Sequence, residues 1–145
     1  MVKHPARGRV LARSISLSER ISAMSLKAAL LFTWMIACAD DQGRMRASPK
    51  WLKNAVVPLR DDIPVDEIPK LLDEMHEAEL IMIYNNLIPA VKVLQLLDWW
   101  SYQMLDSPQA SDFPPPYESW KDRVAPRDEH GRFAKREDAN RDGNS

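Results

Sequence analysis

The chain is poor in the residues that build metal and covalent chemistry. It holds one cysteine, Cys38, which excludes an intramolecular disulfide and a multi-cysteine metal knuckle. Its three histidines are His4, His76 and His130, and no two of them have metal-ligand spacing. Glycine occurs only four times, and no glycine-rich phosphate loop can be drawn. Asp40-Asp41 is an acidic pair, but adjacent acids at a helix end more often solvate a turn than transfer protons. Neither sign of charge dominates: 20 Lys and Arg stand against 21 Asp and Glu. The apolar stretch at residues 28–39 is shorter than the ~20 residues a membrane-spanning helix requires. These absences lead to the expectation of a non-enzymatic protein with no cofactor, no metal site and no membrane span.

What the chain does contain is unevenly distributed. Hydrophobic residues make up 45% of it, enough for one domain core. Pro108, Pro114, Pro115, Pro116 and Pro126 crowd the last third, where large aliphatics almost vanish. The expected organisation is a basic arm over residues 1–13, a folded body over 14–106, and a proline-rich, charged, disordered tail over 107–145. Lys3, Arg7, Arg9, Arg13 and Arg20 against Glu19 give the amino-terminal segment a net +4. Residues 21–106 come to −4 and residues 107–145 to −1. A basic arm ahead of a mildly acidic body suits a polyanion. A solubilising, frayed terminus is the competing reading.

The stretch at residues 28–39 also has two readings. Arginines precede it and Ala37-Cys38-Ala39 looks like a small-residue cleavage site, as in a secretory or lipoprotein signal. Against that stand the long charged leader with Glu19, Lys27 at the edge of the run, and the loss of a first helix that the body needs. Met24, Ala28, Leu31, Met35 and Cys38 recur on one helical face. Ser22 and Ser25 offer N-caps. This helix is apolar enough to predict central burial, with Cys38 and Trp34 in the core. Asp40-Asp41-Gln42-Gly43 ends it, and Arg44-Met45-Arg46 reads as a short edge strand. Ser48-Pro49 starts a second helix that Pro58 stops. Val65, Ile68, Leu71, Leu72 and Met75 stripe a third, in which Pro69 is a defect unless the helix begins near Ile68. Two strands follow, at residues 80–84 and 90–97, joined through Asn85-Asn86. Trp99 reads as core, and Trp51 and Trp100 as partly exposed.

The order helix, short strand, helix, helix, hairpin carries a resemblance over residues 39–103. Ala39-Asp40-Asp41-x-Gly43-Arg44, Val57-Pro58-Leu59-Arg60-Asp61-Asp62-Ile63, Leu71-x-x-x-Met75-x-x-x-Glu79-Leu80-Ile81 and Asp98-Trp99-x-x-Tyr102-Gln103 occur in sequence. Together they resemble the amino-terminal winged-helix domain of phage and prophage replication proteins, among them replisome organisers and DnaD-type primosomal proteins. The resemblance implies a mainly α fold with a small β hairpin, a winged helix-turn-helix. It also implies a DNA-binding role in replication initiation, in the cytoplasm of a bacterial host cell. A helicase loader is an implied partner and homo-oligomers are implied too. Two departures stand out: the wing tip at residues 85–90 has neither glycine nor positive charge, and Tyr102 replaces the usual His.

The third helix of such a fold enters the major groove. Here it carries Asp66, Glu67, Asp73, Glu74 and Glu77 with only Lys70 opposing, and phosphates repel such a face. The expected DNA contacts are therefore Arg44, Arg46, Lys50 and Lys53, with Arg7, Arg9 and Arg13 of the arm, making phosphate-dominated contact. The alternative is a protein-interaction or transcription-regulatory module whose acidic helix docks a basic partner. Spaced aromatics at Phe113, Tyr117, Trp120 and Phe133 suit a linear docking motif.

Overall fold

Serine caps set the first helices in place. The computed structural model describes residues 8–126. A 3-10 turn at Arg13–Leu17 leads into α1 (Glu19–Ser22), a single turn capped by Ser18, which accepts from the Ile21 amide. The longer α2 (Leu26–Cys38) is capped by Ser25, which accepts from Ala28 N. Its buried face is Ala28, Leu31, Phe32 and Met35. Each large apolar side chain sunk there is worth about 1.5–3 kcal/mol. Two expectations fail on this helix. Cys38 is exposed, and Trp34 is 40% exposed. The apolar stripe is wider than the body it packs against, so one flank of α2 faces solvent.

Gly43, at φ 79°, turns the chain into β1 (Arg44–Arg46). Ser48 caps α3 (Pro49–Ala55) by accepting from Trp51 N, with the proline in the first turn, where its missing N–H costs no bond. A 3-10 turn at Val65–Glu67 runs into α4 (Ile68–Glu77). Pro69 therefore sits in the first turn and interrupts nothing. Ile68, Leu71, Leu72 and Met75 pack inward as the spacing predicts.

The end of α4 has an unusual chemistry. Leu80 N donates to Met75 O and Glu79 N to His76 O, both at 3.0 Å, which closes a Schellman turn. The residue such a turn holds left-handed is commonly glycine, yet here it is Glu79 at φ 59°. Strands β2 (Ile81–Leu87) and β3 (Ala90–Leu96) follow as an antiparallel hairpin, and α5 (Trp99–Tyr102) closes the body.

The sheet has three strands in the order β1-β3-β2, one more than a bare hairpin. Met45 pairs with Leu94, which pairs with Ile83; Arg44 pairs with Gln95, which pairs with Met82. Cross-strand partners share a face. One face therefore carries Met45, Leu94, Leu96 and Ile81 into the helical core. The other carries Arg44, Val93 and Gln95, and all three are buried as well. Their cover is the segment 107–126. Gln42 Nε2 donates to Gln109 O and to Arg123 O, at 2.8 and 2.6 Å. The Tyr84 hydroxyl donates to Pro114 O, and Ser111 Oγ donates to Asp40 Oδ2 at 2.6 Å. Ala125 N bonds Pro108 O and closes the segment into a loop. The expected disordered tail thus fails for residues 107–126, which are laid on the sheet; residues 127–145 lie outside the described residues. Low hydrophobicity is a poor guide here, because this segment is held by polar anchors rather than by a core.

Candidate nucleic-acid interface

The seven basic residues singled out in the sequence go to different places. Arg44 is 1% exposed. Its Nε donates to Gln95 Oε1 at 2.7 Å, its Nη1 to Phe113 O at 3.1 Å, and its guanidinium grips both oxygens of Asp122. A cation so enclosed meets no phosphate, so Arg44 is corrected from a DNA contact to the anchor of the folded-back segment. The pattern Arg44-Met45-Arg46 reads as one apolar residue between two solvent charges because nothing in it announces a cover for the outer face.

Arg9 is corrected in the same way. Its Nη2 donates to Ala39 O at 2.9 Å and to Asp41 at 3.0 Å, and its guanidinium lies 5.5 Å from the Trp99 ring centroid. Nε and Nη1 find no acceptor, which fits a cation spread over an aromatic face. Val10 exchanges two backbone bonds with the Gln103 side chain, so the chain is already tied to the body at residue 10 and no free arm extends to residue 13. Lys53 is half-buried and its Nζ donates to Arg60 O and Ile63 O, at 2.6 and 2.9 Å. It staples the loop after α3 and has little left for a phosphate. Arg7 lies outside the described residues.

Arg46, Lys50 and Arg13 do face solvent. They form no ion pair among the described residues. Arg46 ends β1, and the next amide, Ala47 N, donates to Lys92 O at 3.0 Å. That bond sets Lys92, exposed on β3, opposite Ala47, so its side chain leaves the sheet on the face opposite to that of Arg46; Lys50 follows in the first turn of α3. Arg46 and Lys92 thus lie toward the turn end of the hairpin but on opposite faces of the sheet, Arg46 with Val93 and Lys92 with Leu94. Sequence reasoning misses Lys92 because it lies inside the second strand of the hairpin, where the pattern does not announce an exposed cation. Its partner across the hairpin, Asn85, is an exposed donor and acceptor.

No protein-family model, curated protein or solved structure matches this chain.

The acidic helix keeps its sign but not all its charges are free. Lys27 Nζ holds both oxygens of Glu67 at 3.1 and 3.2 Å. Glu74 accepts from Ser25 N and Ser25 Oγ, both at 2.8 Å, at the start of α2, where a carboxylate complements the helix dipole. Asp66, Asp73 and Glu77 remain exposed. Two acids thus bind α4 to α2, and three leave its outer face unfit for phosphate. Among the other titratable groups, burial pushes the Tyr84 hydroxyl up to about 12, against a smaller opposing pull from Arg44. Burial also raises the Cys38 thiol. The Tyr84 hydroxyl donates to Pro114 O and the Cys38 thiol to Ala55 O at 3.7 Å. Among the described residues no cluster of His, Cys, Asp and Glu is arranged to hold a metal ion, and no helix is long and apolar enough to cross a membrane.

Proposed function

We propose that this chain is a winged-helix protein that binds duplex DNA without catalysis, through phosphate contacts at Arg46, Lys50 and Lys92, in phage or prophage replication initiation. The observation that carries the reading is topological. β1 falls between α2 and α3 and pairs with β3, and β2-β3 follow α4 as a hairpin. That order supports a winged-helix reading. Arg46, Lys50 and Lys92 supply the free cations beside the wing, and α4 with its exposed acids is kept out of the groove. Specificity by base contact is low on this reading, since a phosphate-bound surface carries no sequence code. The reading implies a bacterial cytoplasmic setting and replication partners such as a helicase loader.

Duplex binding measured by fluorescence anisotropy at several salt concentrations tests it. Replacing Arg46, Lys50 and Lys92 by alanine lowers affinity and reduces the slope of log K against log salt by about 0.9 for each phosphate no longer neutralised. Unchanged affinity and slope refute the surface.

A second reading is favoured by one observation. Leu26 is 90% exposed and Trp34 40%, on a helix whose only charge is Lys27. An apolar helix open on one flank suits self-association through α2. Sedimentation of the protein with Trp34 replaced by glutamate distinguishes a dimer from a monomer.

A further inference from the structure

A second surface, sharing no residue with Arg46, Lys50 and Lys92, combines aromatic faces with positive charge. It is an open cleft of about 710 Å³ between α5, the turn after α4 and the folded-back segment. That volume lies within the ~300–1,000 Å³ typical of ligand sites. Trp100 on α5 and Trp120 on the segment are both half-buried, and Tyr117 is 50% exposed. Tyr117 and Trp120 meet edge to face, with ring centroids 5.6 Å apart. The Arg123 guanidinium lies 5.1 Å from the Trp100 ring centroid. Lys121 is exposed and has no ion pair among the described residues.

The backbone that presents these groups is fixed by other atoms. Arg123 is anchored through its own N–H and C=O to the Gln42 amide, and Trp120 N donates to Tyr117 O. The side chains are therefore left to the cleft. Across from them stand Glu79 and Asp98, the two non-glycine residues at positive φ among those described, at 59° and 56°. Left-handed backbone costs roughly 1–2 kcal/mol in a residue with a Cβ. Such strain concentrates where side chains must be held for a ligand. A glycine would relieve the Glu79 turn, and the position instead carries a carboxylate at the cleft.

We propose that this cleft binds single-stranded nucleic acid. A base stacks on Trp120, Lys121 and Arg123 meet the phosphates, and Glu79 and Asp98 accept from exocyclic amino groups of the bases. Stacking tolerates any base because every base has a π face. The carboxylates favour bases such as cytosine, whose N4 donates. The site goes beyond the duplex surface and shares no residue with it. It is also incomplete without residues 117–123, which gives the folded-back segment a use that its composition alone does not reveal.

The test titrates the full chain with a single-stranded oligo(dC) and with a duplex of equal length, reading anisotropy and tryptophan fluorescence. Oligo(dC) is expected to quench tryptophan emission. Trp120→Ala is expected to weaken oligo(dC) at least about tenfold, the loss of one stacked base, and to leave the duplex unaffected. Lys121→Glu, at an exposed position with no structural bond, weakens oligo(dC) and flattens its salt dependence. Absence of quenching, or oligo(dC) affinity unchanged in both variants, overturns the proposal while leaving the duplex reading intact. Alanine at Arg46, Lys50 and Lys92 that abolishes oligo(dC) binding equally with duplex binding also overturns it, because one surface then serves both.

Discussion

Removing the carboxylate of Asp122 tests how the outer face of the sheet is closed. The Arg44 side chain is fully enclosed and Asp122 retains 21% of its exposure. In Asp122→Ala the guanidinium keeps its bonds to Gln95 and Phe113 but loses its ion-pair partner. Leaving a buried charge unpaired costs about 3–5 kcal/mol. The chain has a cheaper exit: residues 107–126 lift, and Arg44 gains water. The cost is then capped by the docking strength of that segment, so the net loss is expected near 3 kcal/mol. For a domain of this size that lowers Tm by about 10 °C. Thermal melting by far-UV circular dichroism measures it. Limited trypsin digestion locates it, since cleavage after Lys121 and Arg123 accelerates if the segment has opened. A double variant, Arg44→Met with Asp122→Leu, removes both charges and recovers most of the loss. Unchanged Tm together with unchanged cleavage at Lys121 refutes the argument, because the ion pair then holds nothing.

Two backbone positions give further outcomes. A Cβ at Gly43 meets Trp99 Cδ2 at 2.7 Å and Cγ at 2.8 Å, at a φ of 79° that already disfavours it. Gly43→Ala is expected to destabilise by about 3 kcal/mol, from left-handed strain plus overpacking, with a changed near-UV spectrum as Trp99 moves; a loss below 1 kcal/mol on chemical denaturation contradicts this. Glu79→Gly acts in the opposite direction. It relieves the left-handed turn after α4 and is expected to stabilise by about 1 kcal/mol, read as a higher urea midpoint at constant slope; a lower midpoint shows that the carboxylate itself holds the turn.

Helix positions are legible from the chain because each carries a local signal. Ser25, Ser48 and Pro49 mark starts, and the spacing of Ile68, Leu71, Leu72 and Met75 marks a face. The hairpin is legible from alternation around Ile81 and Ile83. What escapes is non-local. The pairing of β1 with β3 rests on a register that no neighbouring residue encodes, and it alone sets Arg44 against Gln95. Gln42, Arg44 and Gln95 look like surface residues because short-range pattern assigns polar side chains to solvent. The segment that buries them lies far along the chain, and its prolines and charges imitate an unstructured tail. Arg9 and Lys53 mislead for a related reason: charge says where a side chain ends, and only its neighbours in space say whether that end is free.

The closed outer face explains the division of surfaces. A sheet covered on both sides can offer a ligand only its rim. At one rim, Arg46 escapes the cover because it lies toward the turn end of the hairpin, past the Arg44–Asp122 anchor, and Lys92 is exposed on the opposite face. At the other, the cover itself supplies Tyr117, Trp120, Lys121 and Arg123 to meet Trp100. The same Arg44 anchor therefore bears on the second rim but not on the first. Opening the segment in Asp122→Ala should dismantle the aromatic cleft while leaving Arg46, Lys50 and Lys92 in place. Oligo(dC) affinity measured in that variant consequently falls with the fraction of opened segment, and duplex affinity stays level. If both fall together, the two rims are coupled through more than this one ion pair.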